Sequence, residues 1–252
     1  MTTDRWTRAV RHQVGLGRIL PLGGPRDGAW ITERAAEAVL RRAVARDAPG
    51  VRLDGVRIGL ADPEAATGEP VVPPPPSALP PGPLRLAVEF AATAAEPVPV
   101  TASRLRVVLA EAAVERVGLS VASVDLRVTE LLDAEPGPVV EPVAEPGPVV
   151  EPVVEPGREA VSEPSDPGSE AGRVAVVARA VPGVSRLAGA LGRSVHLAEH
   201  PGENALPRRH VRVELAVVAD ARPLDVAREV RSAVASALPG GPTVAVLITA
   251  VD

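Results

Sequence analysis

A ten-residue repeat divides this chain. Glu135-Pro-Gly-Pro-Val-Val-Glu-Pro-Val-Ala144 is followed by Glu145-Pro-Gly-Pro-Val-Val-Glu-Pro-Val-Val154, and a third copy starts at Glu155. Proline at this density removes backbone donors and drives each preceding residue out of the helical region. The repeated Glu side chains repel one another. The pattern predicts an extended, polyproline-like tether over 133–170, with a reach on the order of 100 Å at ~3.1 Å per residue. Packed structure has to form on either side of it. A spacer is the expected role, because the aromatic or basic anchors usual in polyproline ligands are missing.

The tether also distorts the charge balance. Asp133 to Glu170 holds ten acidic residues and one Arg, a net of −9, so the rest of the chain carries +4 of the overall −5. The folded parts are therefore mildly basic. Their cores must be built from Ala, Val and Leu, since the 252 residues include one Phe (Phe90), two Trp (Trp6, Trp30) and no Tyr. Small side chains of this kind need close backbone approach. There is no Lys, which together with the Ala, Gly and Pro excess reads as GC-rich coding of the actinobacterial type. The absence of Cys excludes disulfides, thiolate metal sites and Cys nucleophiles. No secretory h-region and no run of roughly 20 apolar residues is present, so a cytoplasmic protein is expected.

On each side of the tether the same order of elements can be read. Thr32 is placed to cap a helix, with Ile31 as a hydrophobic staple and Ala36, Val39, Leu40 and Ala43 as its apolar stripe, ended by Pro49-Gly50-Val51. Val56, Ile58 and Leu60 alternate as a strand, and Leu84, Leu86, Val88 and Phe90 as the next. A helix from Thr101 carries Leu105, Val108, Leu109 and Ala112 and stops at Gly118. Val124, Leu126 and Val128 form a last strand, with Asp125, Arg127 and Thr129 on its other face. After the tether, Val174, Val177, Ala178 and Val181 suit a helix ended by Pro182-Gly183-Val184. Strands follow at Val195–Leu197 and Val211–Val217, then a helix capped by Asp225, then Val244–Ile248. That last strand is apolar on both faces through Ala245 and Leu247, so it should be central and covered.

The expected fold class is α+β. Two similar small domains, 31–132 and 171–252, each run helix–strand–strand–helix–strand, with a three-stranded mixed sheet and helices on one face. Residues 1–30 are an N-terminal extension, and 133–170 a disordered linker rich in Pro and Glu.

The first half resembles the alkaline shock protein family, also called the Gls general-stress family, of Gram-positive bacteria. The resemblance runs through Ile31-Thr-Glu-Arg-Ala-Ala-Glu-Ala-Val39, Pro49-Gly50-Val51, the strand Leu84–Ala92 and Gly118-Leu-Ser-Val-Ala-Ser-Val-Asp-Leu-Arg-Val128. It covers about a hundred residues; the second half matches in outline. The resemblance implies a small, cytoplasmic, non-enzymatic protein linked to envelope or alkaline stress, held near the membrane in some members by a separate anchor. It supplies no catalytic residues.

The remaining motifs point away from chemistry. His196-Leu-Ala-Glu199-His200 has the H-x-x-E-H spacing of a zinc peptidase, but Val195 and Leu197 alternate as a strand, where the two His lie ~13 Å apart. Gly15-Leu-Gly17 and Gly23-Gly24-Pro25-Arg26-Asp27-Gly28 lack the preceding strand and the Lys of a phosphate cradle. Phe90 alone cannot furnish a base-stacking sheet, and Gly189-Ala-Leu-Gly192 is too apolar for a KH loop. Arg208, Arg209, His210 and Arg212 form a basic cluster, for which protection of a strand edge is the simpler reading. Glu89 and Glu214 fall on polar strand faces and should be solvated. Trp6, Val10 and Val14, among Arg5, Arg8, Arg11 and His12, define a short basic amphipathic helix, either docked on the protein or lying on an anionic membrane. No catalytic, cofactor-binding or metal-ligating residue is therefore assigned, and no cofactor. The expected function is a non-enzymatic cytoplasmic scaffold acting through a protein partner or self-association, with peripheral membrane contact through the N-terminal segment. Nucleic-acid binding is the alternative, and an enzyme ranks third.

Overall fold

Thr32 closes one strand and opens the first helix. Its Oγ1 accepts the Ala35 N–H at 3.3 Å, and its hydroxyl donates to the Thr249 carbonyl at 3.1 Å, 217 residues away. That pair of bonds carries the plan of the molecule, since it ties the start of the chain to its last strand. The computed structural model describes residues 15–64, 69–133, 168–202 and 205–252. The N-terminal segment with Trp6, Val10 and Val14, and nearly all of the expected tether, lie outside them.

In the first half, helix α1 (Glu33–Asp47) buries Ala36, Val39, Leu40 and Ala43, the stripe read from the sequence. Strands β3 (Val51–Leu60) and β4 (Leu84–Thr93) pair antiparallel, and β5 (Val121–Leu132) lies parallel to β4. This is the expected three-stranded mixed sheet. Helix α2 (Val98–Glu111) starts three residues before Thr101, with Pro99 in its first turn, where a missing N–H costs nothing. It continues as one π-helical turn, Ala112–Val117, and stops at Gly118.

The second half departs from expectation. Ser169 caps helix α3 (Glu170–Arg179), accepting the Gly172 N–H at 3.0 Å. Strands β6 (Val184–Leu187), β7 (Val195–Gly202), β8 (Ala205–Val217) and β9 (Thr243–Val251) follow, with helix α4 (Pro223–Ala237) before the last. Asp225 is not the cap of α4. The helix opens on Pro223, and Asp225 in its first turn pairs with Arg222 at 3.3 Å. The sheet has six strands rather than three. β1 (Ile19–Leu22) and β2 (Ala29–Thr32), from the expected extension, pair antiparallel, and β2 lies parallel along β9 with Trp30 opposite Leu247. Val244–Ile248 of β9 are all buried, so its backbone groups are out of reach of water and must be paired on both edges. Ile31, the residue before the cap, also belongs to a strand, paired with Ile248.

The two sheets share a kernel. β7–β8 is antiparallel and β8–β9 parallel, as β3–β4 and β4–β5 are. β6 and β7 lie along the same edge of β8, with Val184 opposite Val217 and Val195 opposite Val213. They occupy together the place β3 has beside β4, interrupted by the loop 188–194. The strand starts are also tied alike: the Gly50 carbonyl accepts the Thr93 N–H, and the Gly183 carbonyl the Val218 N–H, both at 2.9 Å. The helices do not serve two separate sheets. α1 packs on β3 of the small sheet and on β9 of the large one, and one continuous buried cluster runs from Leu20 to Val251. No helix among the described residues is long and apolar enough to cross a membrane.

Candidate functional site

Glu33, the first residue of α1, sits where three chain segments meet. It is 4% exposed. Its Oε1 accepts the Ile58 N–H at 2.7 Å and its Oε2 the Arg18 N–H at 3.2 Å. Arg18 in turn donates from Nη1 to the Ile58 carbonyl at 3.1 Å, and Arg41 Nη1 donates to the Leu53 carbonyl. Side chains thus occupy backbone groups on the outer edge of β3, blunting a strand edge that would otherwise invite pairing. A cleft of about 290 Å³ opens beside this junction, lined by Leu16, Gly17, Arg18, Ile19, Glu33, Arg57 and Ser77. Ser77 holds φ at +62°, a strained value for a residue with a Cβ. The chemistry available is slight. The Glu33 carboxylate is committed to two backbone N–H groups, and among the described residues neither a His nor a second carboxylate joins it in the cleft wall.

Glu214 is a charged residue that sequence reasoning misplaced outright. It was expected in solvent and is wholly buried. The loop 188–194 folds over it: Leu191 N–H donates to Oε2 at 2.8 Å, and Arg212 Nε donates to Oε1 at 3.2 Å. Burial pushes the carboxyl above its ordinary value of 4.5, and the Leu191 bond and the Arg212 charge offset only part of that. A signal for this was available. Glu214 lies in register beside Leu247, and Leu247 beside Trp30, so covering the outer face of β9 covers Glu214 as well. The same face holds a small second core of Ile19, Trp30, Val72, Ala245 and Leu247. Trp30 Nε1 is buried there without a hydrogen-bond partner among the described residues.

The other candidates are dispersed. His196 and Glu199 lie exposed on β7, as the strand reading requires, and His200 is on the same strand. Burial, then the charges of Arg212 and Arg193, lower the His196 pKa. Among the described residues no three His, Asp or Glu converge on a metal-sized site. Gly23–Gly28 is the turn between β1 and β2. Gly24 N–H donates to Asp27 Oδ2 at 2.7 Å, and Asp27 reaches α4 through Arg228 at 2.8 Å. In the basic cluster, Arg209 pairs with Glu170, Arg212 with Glu214, and His210 Nδ1 lies 2.8 Å from Thr243 Oγ1. Phe90 is fully buried and presents no stacking face.

The surface is more informative. Glu89, Asp125, Arg127 and Thr129 are exposed on the outer face of the small sheet, as expected, within rows of ion pairs: Arg127 with Glu89, Arg52 with Glu130, Arg85 with Asp125. On the other side of the small sheet, α2 and its π turn present Val100, Val107 and Val114 to solvent at seven-residue intervals, 52%, 54% and 38% exposed. The neighbouring strand β5 adds exposed Val128 and Leu131. No family model, curated protein or solved structure matches the chain.

Proposed function

We propose that this chain is a non-enzymatic scaffold acting through protein–protein contacts, of the alkaline-shock type associated with envelope or alkaline stress and working in the cytoplasm near the membrane. One observation carries the reading. Val100, Val107 and Val114 form an exposed apolar stripe at heptad spacing on a helix whose opposite side is already buried through Leu105 and Leu109. A stripe of that period suits docking against another helix. The paired arginines of β8 lend no weight to the nucleic-acid alternative. We also read the two α–β–β–α–β runs as a duplicated unit. The shared strand pairing and the matching Gly50–Thr93 and Gly183–Val218 bonds support this, and the loop 188–194 is then an insertion into the second copy.

The test is affinity purification with cross-linking from the native host, comparing wild type with the Val100→Glu/Val107→Glu double variant. Both positions are exposed, so the variant should fold and melt as the wild type does. The proposal expects a stoichiometric partner that the variant loses. Identical recovery from both proteins, with unchanged circular dichroism, would overturn it.

A further inference from the structure

The outer face of the large sheet is closed by a short stretch of the proline-rich loop, and that stretch has a twin elsewhere in the chain. Glu69-Pro70-Val71-Val72 crosses the face with Val71 exposed at 52% and Val72 buried at 4%. Val72 enters a seat made by Ile19, Trp30, Ala245 and Leu247. The floor of the seat is Gly28: a Cβ there would lie 2.8 Å from Val72 Cγ2 and 3.0 Å from Arg231 Cζ, so the side chain fits because the glycine has none. Among the described residues one main-chain bond holds the stretch, Val71 N–H to the Pro25 carbonyl at 3.1 Å, and seven residues on Leu79 N–H donates to the Ile19 carbonyl at 2.9 Å.

The tetrapeptide recurs without change as Glu151-Pro152-Val153-Val154, and its last three residues recur again at Pro138-Val139-Val140 and Pro148-Val149-Val150. Each copy offers what the seat uses: a proline that needs no acceptor, one Val N–H and one Val side chain two residues on. Charge favours the exchange. The segment from Asp133 to Glu170 carries −9, while the Arg231 guanidinium borders the seat and donates to the Arg26 carbonyl at 3.0 Å. Linker and loop are both tethered, so the linker copies compete as intramolecular ligands, at effective concentrations in the millimolar range for short flexible tethers.

We infer that the Trp30 face is a docking groove for Pro-Val-Val, and that the linker's Pro-Val-Val units are its alternative occupants, exchanging with Val72. Recognition of this kind, an extended proline-containing segment held by few main-chain bonds and one buried side chain, needs no charged anchor.

The test uses the full chain with Trp6→Phe, which leaves Trp30 as the only tryptophan. Val72→Asp unseats the native occupant. A second version adds Ser at Val139, Val140, Val149, Val150, Val153 and Val154. Trp30 emission and acrylamide quenching report on the groove. The inference expects Trp30 to stay protected in Val72→Asp with its own linker and to become accessible once the linker valines are gone. A synthetic peptide spanning residues 147–156 then restores protection, binding about tenfold more weakly to the chain that keeps Val72, whose own segment competes. Equal Trp30 accessibility with either linker, together with no saturable peptide effect, would overturn it. Should Val72→Asp lose its cooperative melt, Val72→Ala takes its place, and peptide binding alone decides.

Discussion

Leu224, at the start of α4, lies directly on the α-carbon of Gly118, the residue that stops α2. A side chain at Gly118 would run into Leu224 Cβ, and Gly118 holds φ at +96°. Its carbonyl also accepts the Gly23 N–H at 3.0 Å, so three segments from both halves of the chain close on one glycine. The contact makes the two sheets one packed body rather than neighbours on a string.

Gly118→Ala should therefore destabilise the protein by about 2–4 kcal/mol, combining a left-handed backbone with overpacking. Leu224→Ala alone costs about 2–3 kcal/mol through the cavity it leaves. The double variant should be less destabilised than the sum of the two, because the second change removes Leu224 Cγ and Cδ2, two of the three atoms the new side chain would meet, and the vacated space lets the remaining Cβ shift. Denaturant unfolding of the four proteins checks this; strict additivity would mean the two residues do not share the contact.

Glu214 separates two substitutions by the size of their cost. Glu214→Ala leaves the Leu191 N–H and the Arg212 guanidinium without their buried partner and should cost about 3 kcal/mol. Glu214→Gln keeps an acceptor for one of the two donors and removes the buried charge, so it should cost less than Glu214→Ala. The sign of the pH dependence follows from the raised pKa. The native state holds this proton after the unfolded chain has lost it, so stability from the group is complete below its ordinary value of 4.5 and falls as pH rises through the native pKa. Stability curves from pH 4 upward should separate in favour of Glu214→Gln, and parallel curves would refute the assignment.

Asp27 works the other way. Burial raises its pKa, but the Arg228 bond, the Gly24 N–H and the charges of Arg228 and Arg231 outweigh this and hold it below 3.8. Its contribution is present above that value and disappears as pH falls through the native pKa. Asp27→Asn should cost about 1 kcal/mol at neutral pH, as expected of a partly exposed charge-assisted pair, with the difference vanishing in strong acid. Chemical denaturation at pH 7 and near pH 2 measures both ends.

The sequence carried the local structure of the small sheet because each of its elements is amphipathic with one period. Val56 and Ile58, the β4 alternation and the α1 stripe all read directly, and Thr32 declared itself as a cap. The placement of side chains read from alternation held on exposed strands, as for Glu89, Arg127 and His196. It failed for Glu214, because strand alternation assigns a residue to a face without saying what lies over that face. The loop 188–194 connects residues that alternation leaves unrelated.

By itself, then, the sequence determined the order of elements from α1 to β5, the helix stops at Pro49-Gly50 and Pro182-Gly183, and the need of β9 for cover on both faces. These follow from backbone propensity and apolar period, which act within a few residues. Tertiary structure alone decided that β2 supplies the second edge partner of β9, that Val72 closes the outer face over Trp30, and that Leu224 seats on Gly118. Those choices depend on which apolar surfaces find one another across more than a hundred residues, in β2 with β9 and in Gly118 with Leu224, and on whether a missing Cβ leaves room. Short-range pattern holds no record of either.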